Sequence, residues 1–442
     1  MIKPPAWQNY FNAELFQKAV NSQELRELIK RAEKDYVYWD KFKYYPMPKG
    51  LKPEEAWAFL KFTRLSNKEF TPVKAIDGKP FGFTITKTMF ERLSKIDANT
   101  TGFLSSNFDP PTQTERNQLI ISGLTEEAIA SSQIEGANTS RKVAKEMLLS
   151  KRKARTRDEQ MIINNYQVMQ RLQEWKDLDL SAEMLLEIQK NITTNTLENE
   201  EDSGRFRTDE DGIGVYNRVT GEAVFMPPSA EMVKNELKRL INFANSDKGD
   251  EDFIHPVIKA SILHFWVAYL HPFVDGNGRT SRAIFYWYLL RKNYWMFQYL
   301  SVSRVIKTSK IQYDDSFLHT EYDENDLTYF LSYKLKAIVQ SINDLIAHYQ
   351  QKHEKEKIIE KIVIKLGQFN ERQVALLQHL NKQKDSRVDL VTHQSKYRIS
   401  YETARTDLQA LVDKNLLSVV KVRNKYIYIP NTAAISKLLS KA

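Results

Sequence analysis

The 442-residue sequence contains no cysteine. This absence excludes disulfide bonds, thiolate metal clusters and cysteine nucleophiles, and it is typical of a reducing compartment. The chain also lacks any uncharged apolar run of about 18 residues, and its first residues lack the charged start and apolar core of a secretory signal. We therefore predict a cytoplasmic protein that does not enter a membrane.

A phosphate-binding loop of the form GxxxxGK(S/T) is missing as well, which argues against P-loop kinase chemistry. Apolar residues make up 42% and charged residues 27%, values typical of a folded protein. A chain of this length should form two or three domains. Its net charge of +9 permits acidic partners such as nucleotides or nucleic acid.

The spacing of apolar residues predicts a mainly α-helical protein. Helical segments near the start indicate an accessory domain, 1–105, and a stretch rich in Gly, Ser, Asn and Pro, 102–113, indicates a linker. More helices follow in a core domain, 106–350. One segment differs, because residues 214–226 alternate in side-chain type on both sides of a Thr-Gly turn, which predicts a β-hairpin.

After the core, the charged stretch 351–364 is predicted to be a connecting helix. Residues 365–432 show three helical segments and two short strands, the pattern of a winged helix with 401–414 as its recognition helix. Positive charge near a DNA surface would come from Arg398, Arg405, Lys421, Arg423 and Lys425. It would be diluted by Glu402, Asp407 and Asp413. Winged helices also dock proteins or form dimers, so DNA binding and protein docking both remain open.

The most informative segment is 271–282, HPFVDGNGRTSR, which lies between two predicted helices. Its Gly-Asn-Gly run gives an unrestricted backbone whose amides can turn inward together at a helix N-terminus, an arrangement that binds phosphate. Arg279 and Arg282 would share one face of the first helical turn, where they repel each other unless a polyanion is bound.

Two further side chains add chemistry to this loop. Asp275 supplies a hard oxygen ligand, which suits magnesium bridging phosphates. His271 has a near-neutral pKa and lies at the rim, as a general base would. A lone Gly-Asn-Gly would indicate only a helix cap, but the joint spacing indicates a nucleotide site.

Residues 271–282 match every specified position of the motif HxFx(D/E)GNGRxxR, and the chain resembles the Fic family over roughly 111–335. The GRFR at 204–207, the hairpin that ends at Pro227-Pro228 and the later Asp326-Leu327-Thr328 belong to the same resemblance. It implies a Fic-type helical core with a hairpin flap. It also implies a protein adenylyltransferase, a nucleotidyltransferase that moves AMP from Mg-ATP to a Ser, Thr or Tyr hydroxyl of a target or of itself.

The resemblance also implies residue roles. His271 takes the proton from the target hydroxyl, which attacks the α-phosphorus, and Asp275 holds magnesium. Asn277 stabilises the developing charge, Arg279 binds the β-phosphate and Arg282 the γ-phosphate. The backbone amides of Gly276 and Gly278 assist Asn277, and the other implied nucleotide contacts are Thr280, Val224, Phe225, Met226 and Tyr313. The flap would pair with an extended target segment by strand addition, and Tyr313 would face the adenine or ribose.

Upstream, residues 131–136, SSQIEG, resemble the family's inhibitory pattern (S/T)xxxE(G/N), on a helix predicted at 125–136. The pattern begins at Ser131 and ends at Gly136. Glu135 would then pair with Arg282 in a bidentate contact and occupy the guanidinium that the γ-phosphate needs. The same carboxylate could position water for AMP removal, so the direction of the reaction remains open. The plain alternative is a glutamate before a Gly cap.

Two other functions remain as alternatives. One is a DNA-binding regulator that uses the Fic core as a nucleotide sensor, and the other is a toxin-like kinase or transferase of another group. A homodimer is also compatible with the sequence.

Overall fold

A computed structural model describes residues 2–100, 113–216, 221, 223–246, 253–382, 387–422 and 425–439. Most of these residues are helical, which confirms the predicted mainly α fold. They form two compact units that divide between Leu345 and Ile346. The predicted linker, 102–113, lies outside the described residues except for Gln113.

The N-terminal residues form five helices and one antiparallel pair of strands. In order these are α1 (Ala13–Asn21), α2 (Gln23–Asp35), α3 (Trp39–Phe42), α4 (Pro53–Ser66), β1 (Glu69–Lys74), β2 (Pro80–Phe83) and α5 (Lys87–Thr100).

These N-terminal elements belong to the same compact unit as the described part of the predicted core up to Leu345. Buried ion pairs join them to it. Lys61 Nζ lies 2.9 Å from Asp323 Oδ1, and Lys68 Nζ lies 3.2 Å from Asp326 Oδ2. Since a buried charge without a partner is costly, these pairs fix the N-terminal elements against the core.

The other elements that lie wholly in the first unit are α6 (Gln113–Ile134), α7 (Arg141–Ser150), α8 (Arg157–Trp175), α9 (Ala182–Thr193), β3 (Val215–Tyr216), β4 (Ala223–Phe225), α10 (Ala230–Asn245), α11 (Pro256–Leu270), α12 (Asn277–Arg291), α13 (Val302–Thr308) and α14 (Lys310–Tyr322). Helix α15 (Thr328–Leu366) begins in the first unit and continues into the second. Helices α11 and α12 lie at the centre and are buried along almost their whole length. Since α11 is mainly apolar and buried on all sides, it is a core helix.

The predicted hairpin segment, 214–226, contains β3 and β4, which pair antiparallel with Val215 opposite Phe225. The predicted Thr-Gly turn begins at Thr220, which lies outside the described residues. The predicted connecting helix, 351–364, is not a separate element, because it continues α15 without a break.

The second unit contains α16 (Glu371–Lys382), β5 (Val388–Asp389), α17 (Leu390–Tyr397), α18 (Tyr401–Asp413), β6 (Leu417–Val422), β7 (Lys425–Pro430) and α19 (Thr432–Leu439). Its three strands form an antiparallel sheet in the order β5-β7-β6. The sequence pattern predicted neither β5 nor α19. Arg423 lies outside the described residues.

Among the described residues, no helix combines the length and the apolar character needed to cross a bilayer.

Candidate active site

The loop 271–276 reverses the chain between the two central helices. Helix α11 ends at Leu270 and its C-cap is His271, which has a left-handed φ of 49°, and α12 begins after Gly276, with φ 85°. A Cβ atom on Gly276 would also lie only 3.0 Å from Thr193 Cγ2. Both the backbone conformation and the available space therefore require glycine at position 276.

The ring of His271 is held in one tautomer. Its Nδ1 lies 3.2 Å from the carbonyl oxygen of Ala268. A carbonyl can only accept, so Nδ1 carries the proton and Nε2 keeps its lone pair. Burial lowers the pKa of His271 below its usual 6.5, which keeps the ring neutral near pH 7.

Arg207, from the GRFR segment, ties this loop to the flap. Its Nε donates to the carbonyl oxygen of His271 at 2.7 Å, and its backbone N–H donates to Pro272 O at 2.9 Å. One of its terminal nitrogens donates to Pro228 O, just after the flap. The sequence predicted no role for this arginine beyond its place in the family resemblance. These backbone contacts set the position of His271 relative to the flap.

Asn277 closes the loop from inside. Its Oδ1 accepts from the backbone N–H of Phe273 at 2.9 Å, and its Nδ2 donates to Phe273 O at 2.8 Å. The side chain was predicted to stabilise developing charge. The structure gives it these two backbone contacts, which fix the shape of the loop.

Asp275 has a partly exposed carboxylate, with 40% of the side chain accessible. Its Oδ1 accepts from Gly276 N at 2.5 Å and its Oδ2 lies 3.3 Å from a terminal nitrogen of Arg279. Within the described ranges no group of three or more His, Asp or Glu side chains could hold a metal ion by itself. One carboxylate still fits magnesium, which commonly takes one or two carboxylates and completes its shell with phosphates and water.

Arg279 has contacts different from those of Arg282. It is only 1% exposed, and it donates to the carbonyl oxygen of Ile192 at 3.1 Å as well as to Asp275. Burial lowers its pKa. The two arginines therefore do not share one set of contacts, because Arg279 is held by α9 and Asp275 while Arg282 is held by α6. Thr280 is fully buried between them.

Arg282 is 2% exposed and is bound by the C-terminal part of α6. Its Nε donates to Ser131 Oγ at 2.7 Å. One terminal nitrogen donates both to Ser131 O at 3.0 Å and to Glu135 Oε1 at 2.9 Å. Ser131 and Glu135 of the predicted inhibitory pattern thus contact Arg282 of the active-site loop.

The carboxylate of Glu135 lies directly on the first turn of α12. A Cβ atom placed on Gly278 would be 2.1 Å from Glu135 Oε1. Burial by itself would raise the pKa of Glu135, but the charges of Arg282 and Arg279 outweigh it and lower the pKa. An ionised carboxylate therefore occupies the helix N-terminus, the position that attracts anions.

Helix α6 is fixed at its end and in its middle. Gly136, with φ 103°, donates to Gln133 O, and the next backbone N–H, from Ala137, donates to Ser132 O, both at 3.1 Å. This is the Schellman type of helix end.

Glu127, in the middle of α6, was not predicted from the sequence, since its role depends on distant partners. It is buried and accepts from Tyr286 OH at 2.8 Å.

Tyr313 is buried in the core, and its hydroxyl lies 2.9 Å from His264 Nε2. Its predicted contact with the adenine or ribose stays a prediction. Lys334 Nζ lies 3.3 Å from the other ring nitrogen of His264, and burial lowers the pKa of Lys334 to about 7. The three side chains form a buried polar chain.

The flap residues are arranged differently from one another. Phe225 is half-buried and its ring centroid lies 5.3 Å from that of Tyr269, whereas Met226 is 55% exposed. The side chain of Val224 lies outside the described residues. Met226 is thus accessible for contact with another molecule.

Residues 179–289 match the model of the Fic/DOC family. Protein adenylyltransferase fic-1 of Caenorhabditis elegans is 28% identical over 116 residues, which are 26% of this chain and 20% of that protein. Protein adenylyltransferase Fic of Drosophila mojavensis is 31% identical over 93 residues, 21% of this chain and 16% of that protein. The chain thus spans a fifth or less of the length of these curated relatives.

A solved structure of part of C. elegans Fic-1 shares the fold, with a TM-score of 0.50 and 18% identity over 76% of this chain and 92% of that one. The complete motif at 271–282 lies inside the matched residues 179–289. Residues 179–289, with the complete motif among them, are therefore similar to the Fic/DOC family.

Proposed function

We propose that the chain is a protein adenylyltransferase that transfers AMP from Mg-ATP to a Ser, Thr or Tyr hydroxyl of a target protein or of itself. The observation that carries the proposal is the position of neutral His271 beside the N-terminus of α12, where Arg282 and Gly278 already meet an anionic group. The curated relatives are named protein adenylyltransferases, which supports the same activity.

In this reaction Nε2 of His271 accepts the proton of the target hydroxyl. The hydroxyl oxygen bonds to the α-phosphorus, the bond from that phosphorus to the bridging oxygen breaks, and pyrophosphate leaves. The backbone amides at the start of α12 stabilise the negative charge. Bound magnesium would neutralise phosphate charge, and Asp275 is the residue that would hold it.

The flap supplies the surface for the protein target. Since β4 belongs to a two-stranded sheet, an extended target segment would add to it as a further strand. Arg207 links Pro228, after the flap, to the carbonyl oxygen of His271. A target bound on the flap would thereby have its hydroxyl placed relative to the base.

Glu135 acts as an inhibitor in this proposal. Its carboxylate accepts a hydrogen bond from Arg282 and lies against Gly278. The γ-phosphate of ATP therefore cannot bind Arg282 or occupy the space beside Gly278. The same carboxylate lies where it could orient water for removing AMP from a modified protein.

Incubation with ATP labelled at the α-phosphate and a cell lysate tests this function. Glu135→Gly should raise labelling at least about tenfold, which corresponds to about 1.4 kcal/mol of transition-state stabilisation. His271→Ala in that background should abolish labelling and leave ATP binding intact, because the phosphates contact other groups. Persistent labelling by the histidine variant would refute the base assignment.

Two controls separate inhibition from damage to the helix. Glu126→Gln removes a carboxylate from the same helix, one that pairs with Arg141, and should leave labelling unchanged. Glu135→Gly combined with Arg282→Ala should lose the gain. A Glu135→Gly protein no faster than the wild type would show that Glu135 is only a helix-end residue.

A further inference from the structure

The excess of positive over negative charge in the chain lies entirely in its second unit. Residues 346–442 contain 18 Lys and Arg but 9 Asp and Glu, whereas residues 1–345 contain 47 of each kind. The whole net charge of +9 therefore resides in less than a quarter of the chain. Such a concentration of charge is the electrostatic feature expected of a nucleic-acid-binding module.

The second unit also has a helix-turn-helix arrangement. Helices α17 and α18 are joined by the three residues 398–400. Arg398 takes the left-handed conformation, with φ 53°, and Ser400 caps α18 by accepting from Thr403 N at 3.1 Å. Two helices joined by a turn of this length place the N-terminal part of the second helix outward, where it can enter a major groove.

One of the three acids predicted to dilute this surface is not on it. Asp407 is 3% exposed. It accepts from Arg372 Nε at 2.7 Å and from Asn370 Nδ2 at 2.7 Å, and His393 Nε2 lies 3.3 Å away. Its charge is directed into the unit, so the exposed N-terminal half of α18 is more positive than its sequence indicates.

Four side chains of α18 and the β6–β7 strands form a basic and aromatic face. Tyr401 and Tyr426 are each 50% exposed, and Arg405 and Lys421 are exposed with them. Lys421 Nζ lies 5.8 Å from the centre of the Tyr426 ring. Burial raises the pKa of Tyr428 and the charge of Arg405 opposes this rise, so Arg405 lies near β7.

We propose that the second unit binds duplex DNA through this face, with the first turns of α18 in the major groove and Arg405 and Lys421 at backbone phosphates. Guanidinium and ammonium groups supply the charge, while the tyrosine rings and hydroxyls add contacts to sugar and phosphate. The binding is an activity separate from nucleotidyl transfer.

The test measures binding of the full-length protein to a labelled random-sequence duplex by fluorescence anisotropy, from about 50 to about 200 mM salt. The wild type should bind with a strong salt dependence. Arg405→Gln with Lys421→Gln should bind more weakly and lower the slope of log affinity against log salt by about 2, one for each phosphate contact. Lys421→Gln alone should lower it by about 1.

A charge-matched control is Lys30→Gln with Lys34→Gln, which removes two exposed lysines of α2 in the first unit. It should bind DNA as the wild type does. Absence of binding at the lowest salt, an unchanged slope in the α18 variants, or an equal loss in the control would each overturn the proposal. A change in oligomeric mass with unchanged DNA affinity would show instead that the face joins two copies.

Discussion

Arg207 Nε lies 2.7 Å from the carbonyl oxygen of His271, the residue whose backbone has a φ of 49°. A left-handed conformation is unfavourable for a residue with a side chain, by about 1–2 kcal/mol. The arginine holds the carbonyl of the strained residue, and it binds the backbone beyond the flap at the same time. It is thus a positioning residue for the base.

Arg207→Lys should lower the kcat of the activated Glu135→Gly protein at least about tenfold, since a lysine ammonium cannot reproduce the fixed fork of a guanidinium. ATP affinity should not change. Single-turnover labelling and ATP titration give the two values. Arg205→Lys is the matched control, because Arg205 pairs with the nearby Asp202 and with Asp211 at 2.8 Å, and it should retain kcat. Equal losses in the two variants would assign Arg207 to folding alone.

Gly278→Ala should destabilise the wild type by about 1–3 kcal/mol, because the new methyl group displaces the carboxylate of Glu135 from Arg282. In a Glu135→Gly background nothing remains at 2.1 Å to displace, so the same substitution should cost less than half as much. Thermal or denaturant unfolding of the four proteins of this cycle gives the coupling. Additive effects would contradict the contact.

The rate of the activated protein should not depend on pH above about 7 and should fall at lower pH. The base must be neutral, and burial places the pKa of His271 below 6.5, so the protonated fraction grows only in acid. Labelling rates at saturating ATP, taken from about pH 5 to about pH 9, measure this pH dependence. A rate that still rises above pH 8 would assign the base to another group.

Lys334→Met should stabilise the protein near pH 7 by about 1–4 kcal/mol, because it removes a charge from the core. Burial lowers the pKa of Lys334 from 10.5 to about 7, so between these values the unfolded chain holds one proton more than the folded one. Wild-type stability therefore gains up to about 1.4 kcal/mol per pH unit in this window, and the variant lacks this gain.

Urea unfolding at about pH 7, 8 and 9 measures how the free energy of unfolding changes with pH in this window. Exposed Lys336 lies two residues away on the same helix, and Lys336→Met should keep the wild-type slope. A steeper dependence in the Lys334 variant would contradict the assignment.

The sequence predicted those parts of the site that depend on local chemistry. Gly276 in a tight turn and the carboxylate of Glu135 before a Gly helix end are local features, and the structure has both. The contact between Glu135 and Arg282 spans 147 positions, and it was predicted only through the resemblance of two short motifs to one family.

The features that were missed depend on partners far away in the chain. The direction of Arg279 is set by Ile192 on α9, and the hydroxyl of Tyr313 by His264 on α11. The partners of Glu127 lie on α12 and α13. No spacing rule identifies such pairs, because they arise only when helices pack. The strand β5 has two residues, too few to show an alternating pattern.

The end of α6 has a further consequence. Because Glu135 and Arg282 belong to one chain, they meet at an effective concentration fixed by the packing of α6 on α12, whatever the amount of protein. Dilution therefore leaves the contact intact, and a competing anion must exceed this fixed local value. The fraction of molecules in which Glu135 binds Arg282 therefore depends on the concentration of the competing anion and not on that of the protein. Nanomolar and micromolar preparations should show the same fraction.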